Sequence, residues 1–159
     1  MGLFDRLRGG GGKGGEMPVL DDPVARAVLT PAISTMVGDG EINDAETAQI
    51  NNLIAFSPIF QEHGPAAISA FIQTILAAIQ KNGHEATIKE AAGELTMPLR
   101  ETAMCFALRM ALADGKIEDG EKASLSQTGH YMEIPPETFG KMLEILAMLQ
   151  RPRDIQQVM

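Results

Sequence analysis

The sequence predicts an all-α fold, a single domain of about seven helices organised around a helix-turn-helix unit used twice. Three observations carry this expectation. Apolar residues recur at helical spacing in the segments between Gly, Pro and Asn punctuation. Sustained alternation is missing, and so is any β-branched run bounded by hairpin signals. The pattern around Gly38–Glu46 also returns around Ala113–Glu121. Composition agrees: 45 % of the residues are hydrophobic but only 4 % aromatic, so Ala, Met, Leu and Ile supply the apolar mass, a mix that favours helix over strand.

The helices read as follows. Asp22-Pro23 places an N-cap before a proline at the first helical position. Val24, Val28, Leu29, Ala32, Ile33 and Met36 continue that helix on one apolar stripe, with Pro31 expected to kink or split it. Asn43 and Glu46 have the spacing of a capping box for a helix that starts near Asp44, turns Ile50, Leu53 and Ile54 inward and stops at Ser57-Pro58. Gly64-Pro65 opens the most regular amphipathic segment, carrying Ile68, Phe71, Ile72, Ile75, Leu76 and Ile79, and Asn82-Gly83 ends it. A shorter, more polar helix runs from about Glu85 to Glu94. Pro98 starts a very apolar helix, Leu99 to Ala113, expected to be the central buried one. Another spans Asp119 to about His130. The last follows Pro135-Pro136 with Phe139, Met142, Leu143, Ile145, Leu146 and Leu149 expected inside.

The domain expectation is a flexible glycine-rich leader at 1–16, a helical domain at 17–150 and a tail at 151–159. The leader carries Leu3, Phe4 and Leu7 before the run Gly9–Gly15. It is too short for a membrane span, and a glycine run cannot offset its ordering entropy. The second reading of the leader is a short cationic apolar segment that docks reversibly.

The repeat has a register of 75 residues: Pro23 matches Pro98, Ile33 matches Leu108, Asp39-Gly40 matches Asp114-Gly115, and Ile42, Asp44 and Glu46 match Ile117, Asp119 and Glu121. Two such hairpins are expected to pack with approximate two-fold symmetry. Asp-Gly-x-Ile followed by Glu resembles half of a calcium loop, but an EF-hand needs oxygen ligands at its first, third and fifth positions. Here the first would be Thr35 or Met110 and the third Val37 or Leu112, and Val and Leu cannot ligate a hard cation. These are not EF-hands. Gly40 and Gly115 suit a helix end, and Ile42 and Ile117 suit the core. The carboxylates remain: Asp39, Glu41, Asp44 and Glu46 at the first corner, and Asp114, Asp119 and Glu121 at the second. Asp39 and Asp114 lie near the negative end of a helix dipole, which disfavours them. Either a local turn bond or a bound cation accounts for that.

A helix, Asp-Gly-x-Ile-x-x-x-Glu and a second helix, used near both ends of an all-α chain, resemble the tellurite-resistance TerB family over about Val24 to Met148. Gly38-Asp39-Gly40-Glu41-Ile42 with Glu46, and Ala113-Asp114-Gly115-Lys116-Ile117 with Glu121, carry the resemblance. It implies a bundle without catalytic activity and a place in bacterial tellurite and stress responses. It also implies divalent-cation binding (calcium or magnesium) by Asp39, Glu46, Asp114 and Glu121. A cytoplasmic location follows, peripheral to the inner membrane, beside the proteins of a stress-response complex.

The residues themselves narrow the function further. A net charge of −8 argues against a nucleic-acid partner. The chain has no Gly-rich phosphate loop between strand and helix, no histidine pair at ligand spacing and no nucleophile beside a base. No enzyme is expected, and no cofactor beyond a divalent cation. His63, His84 and His130 read as capping or solvated residues, Cys105 as a small core residue and the ten Met as core filler. Two functions compete: a non-enzymatic interaction module with weak cation binding, and a dedicated divalent-cation sensor.

Overall fold

The structure, a computed structural model, describes residues 21–37, 42–112 and 119–157. Among these residues it contains seven α-helices: α1 (Pro23–Met36), α2 (Asp44–Ile54), α3 (Pro65–Asn82), α4 (His84–Gly93), α5 (Met97–Ala111), α6 (Asp119–Tyr131) and α7 (Pro136–Leu149), then a short 3₁₀ turn, Arg153–Gln157. The all-α bundle expected from the sequence is present. The leader's first sixteen residues and both Asp-Gly turns lie outside the described residues.

The helix ends follow their local chemistry. Asp22 caps α1 by accepting the Ala25 N–H at 3.0 Å, with Pro23 at the first helical position. Asn43 and Glu46 form the expected reciprocal box at the start of α2: Glu46 N donates to Asn43 Oδ1 at 2.8 Å, and Asn43 N donates to Glu46 Oε1 at 3.2 Å. Gly83 separates α3 from α4 at φ 87° and ψ 168°, a region open essentially to glycine alone.

The centre of the bundle is the crossing of α1 and α5, the most extensive helix contact among the described residues. Val28, Leu29, Ala32 and Ile33 meet Ala103, Met104, Ala107 and Leu108 in the core, and all eight have no exposed surface. Alanines on both helices let the backbones approach closely. α3 and α4 cover a second side of α1, burying Phe71, Ile72, Ile75, Ile79 and Ile88.

Four packing expectations are corrected. Pro31 does not split α1, which runs unbroken with Pro31 itself fully buried. Packing on both sides outweighs the one backbone bond a proline removes. Leu99–Ala113 is not the most buried helix: α5 encloses four residues and α1 nine, because α3 and α4 pack far more extensively on α1 than any helix besides α1 packs on α5. Val24 is 40 % exposed at the first turn of α1, beyond the reach of its neighbours. Ile145 and Leu149 face outward from α7, whose inner face is Met142 and Leu146 with Phe139 and Leu143 half-buried.

Candidate functional site

The two corner helices begin at a common place. Glu46, in the first turn of α2, and Glu121, in the first turn of α6, line one cavity of about 390 Å³ with Thr35, Met36, Gln49, Met110 and Ala111. Thr35 and Met36 end α1, and Met110 and Ala111 end α5. Three of these lining pairs, Thr35 with Met110, Met36 with Ala111 and Glu46 with Glu121, stand in the repeat register of 75 residues. The cavity therefore takes equivalent positions from both copies. Its acidic groups sit at helix N-termini, where the dipole favours a carboxylate.

Of the sequence-predicted carboxylates, the structure brings Glu46 and Glu121 to this cavity. Asp44 and Asp119 are exposed at the first residues of α2 and α6 and do not line it. Asp39, Glu41 and Asp114 lie outside the described residues. Thr35 and Gln49 were not singled out as donors by the sequence. Thr35 stands at what would be the first position of a calcium loop, but it is a helical residue whose hydroxyl donates to the Pro31 carbonyl at 2.8 Å. Gln49 follows Glu46 at i+3 on the same face of α2, and that spacing is the signal that would have found it.

The donor chemistry fits a hard cation in kind. Glu46, Glu121, Thr35 and Gln49 offer oxygen, and among the described residues no histidine or cysteine lines the cavity. In number the fit is partial. Among the described residues no three His, Cys, Asp or Glu side chains gather as a metal-binding group, and one Glu46 oxygen already accepts the Asn43 N–H.

Several polar groups of the described residues away from the cavity serve the fold. His63 is not solvated: its side chain is 7 % exposed, its Nε2 bonds Asp22 Oδ2 at 2.9 Å, and its ring stands edge-on to Phe71 at 5.2 Å. It ties the segment before α3 to the cap of α1. Burial opposes ionisation of Asp22, yet the Ala25 N–H, the bond to His63 and that ring's positive charge when protonated outweigh it and hold the carboxyl below its ordinary value. His84 Nδ1 bonds the hydroxyl of buried Ser34 at 2.6 Å, linking α4 to α1. The Arg100 guanidinium caps carbonyls of Ala92 and Leu95 and reaches Met132 and Glu133. Cys105 is exposed rather than in the core, with its thiol pushed up by partial burial and by Glu101. No helix among the described residues is long and apolar enough to cross a membrane.

This helical bundle with paired acidic corners matches the family model of tellurite resistance protein TerB over residues 25–144. The match spans most of the chain, and the chain belongs to the TerB family. No curated protein and no solved structure gives a significant match.

Proposed function

We propose that this protein is a non-enzymatic interaction module of a bacterial tellurite and stress response, and that it binds a divalent cation weakly where its two acidic corners meet. The observation behind the cation reading is the shared cavity, into which the two copies contribute Glu46 and Glu121. A hard cation there would bridge the first turns of α2 and α6, coupling the two halves of the repeat. Asp39 and Asp114, at the turns that lead into these helices, are the remaining family-implied donors. The partners in this reading are other proteins of the stress-response complex at the inner-membrane surface, not nucleic acid, consistent with the net charge of −8.

With few protein oxygens, the dissociation constants for calcium, magnesium or manganese should lie nearer millimolar than micromolar. A tenfold excess over that constant would then add about 1.4 kcal/mol of stability, visible as a rise in melting temperature and as heat in a calorimetric titration. Glu46→Gln with Glu121→Gln should abolish both signals while leaving the fold intact, because glutamine still serves the capping box. Absence of heat and of any melting shift with all three cations at about ten times a millimolar constant would remove cation binding from the proposal.

A further inference from the structure

Helix α7 carries an apolar surface about twice as wide as the surface it buries. At about 100° per residue, Met142 and Leu146, with Phe139 and Leu143 beside them, occupy the arc that faces the bundle. Ile145, Met148 and Leu149 continue this arc on the outer side and are 59 %, 54 % and 62 % exposed. An amphipathic surface helix needs only the inner arc. Exposed Glu137 and Glu144 border the outer one. Lys141, paired with Glu137 at 3.8 Å, lies within it between Ile145 and Met148, so Glu144 is the border carboxylate without that pairing. Phe56, at 92 % exposed, stands alone between α2 and α3, so α7 holds the main outward apolar face among the described residues.

Residues 1–20 lie outside the described residues, and their sequence fits that face in three respects. Leu3, Phe4 and Leu7 fall on one side at helical spacing. Asp5 stands against Arg6, Arg8 and Lys13, so this stretch is opposite in sign to a chain of net charge −8 and to the glutamates bordering the face. The reach is also sufficient. The C-terminal end of α7 lies beside the C-terminal end of α5, since Gln150 shares a cavity with Arg109 and Met110. Met110 in turn meets Thr35 and Met36 at the far end of α1 from Asp22. The fourteen residues of α1 measure about 21 Å, whereas the chain from Gly9 to Leu20 can span about 40 Å.

We propose that residues 3–8 of this chain cover the outward apolar face of α7. Tethering through Gly9–Gly15 gives the segment an effective concentration near millimolar, so a weak contact is populated without a second molecule. The inference stands on α7 and does not depend on the cation reading.

The chain has no tryptophan, so Phe4→Trp in the full chain provides a unique probe. Its emission should be shifted to shorter wavelength, unchanged over a hundredfold dilution and unchanged by adding vesicles of neutral or anionic lipid. Ile145→Asp with Leu149→Asp should return it to the emission of a solvated tryptophan while helix content, read by circular dichroism, is retained. Arg6→Glu with Arg8→Glu should do the same without touching the domain, and decides the matter if the α7 variant does not fold. Solvated emission in the parent Trp chain overturns the proposal. So does emission that neither pair of substitutions alters. A blue shift lost on dilution assigns the face to a second copy, and one that appears only with vesicles assigns the leader to a membrane. Either also overturns it.

Discussion

Helices α1 and α5 occupy matching positions in the two copies of the repeat, yet the molecule treats them differently. Their inner faces are equivalent: Val28, Leu29, Ala32 and Ile33 in one, and Ala103, Met104, Ala107 and Leu108 in the other, all fully buried. Their outer faces diverge. On α1, Thr30 and Ser34 are buried, whereas their counterparts on α5, Cys105 and Arg109, are exposed. Chemistry follows burial on both sides. Thr30 donates to the Arg26 carbonyl at 2.9 Å and Ser34 bonds His84, so neither leaves a buried polar atom unsatisfied, while Arg109 needs no partner to be tolerated in water. The difference teaches that a repeated local pattern fixes which residues of two helices meet each other. It does not fix what lies behind them, because α3 and α4 pack extensively on α1, whereas on the second copy α4 packs mainly against α6.

The sharpest way to break this comparison is to place a charge on each outer face. Thr30→Lys should cost about 1–3 kcal/mol, since a much longer side chain is forced into a packed position that is 3 % exposed. Cys105→Lys should stay within about 0.5 kcal/mol, as surface substitutions do. Denaturant titration of the two variants reads the contrast directly, and equal losses would mean that the two faces are not differently covered.

The inner faces should behave alike. Ile33→Ala and Leu108→Ala are each expected to lose about 2–5 kcal/mol as truncations of fully buried side chains, measured by the shift in denaturation midpoint. A loss below about 0.5 kcal/mol in either would remove that helix from the central crossing.

The helix starts sharpen the comparison at the smallest scale. Asp22 caps α1, but Thr96 makes no side-chain cap to α5. Asp22→Ala should therefore cost about 1 kcal/mol and Thr96→Ala much less. Asp22→Asn keeps the cap and removes the charge. Because the folded carboxyl titrates below its ordinary value of 3.8, its charge contributes stability above that pH and loses it as pH falls through the lower folded value. Melting curves of the parent and Asp22→Asn should thus be separated near neutral pH and converge as the pH falls through that lower value. A gap that persists unchanged in acid would show that the charge plays no part.

The local readings succeeded where neighbouring residues decide the outcome. The capping box at Asn43 and Glu46, the stop at Gly83 and the stripe from Ile68 to Ile79 all depend on groups within a few positions of one another. The candidate site was legible only as two separate acidic corners. That Glu46 and Glu121 share a cavity depends on α1 and α5 ending side by side, which no spacing along the chain expresses.

By itself, then, the sequence determined the all-α class, the order of the helices, the caps of α1 and α2 and the inner stripe of α3, because hydrogen bonds near in sequence and a 3.6-residue period set them. Only the tertiary structure decided the rest. Pro31 stays inside an unbroken α1 and Ser34 is buried because two further helices enclose them, Cys105 faces water because none covers it, and Ile145 and Leu149 turn outward because α7 packs at the edge of the bundle. Periodicity tells which side of a helix is apolar. How much of that side is covered depends on the area its neighbours can supply.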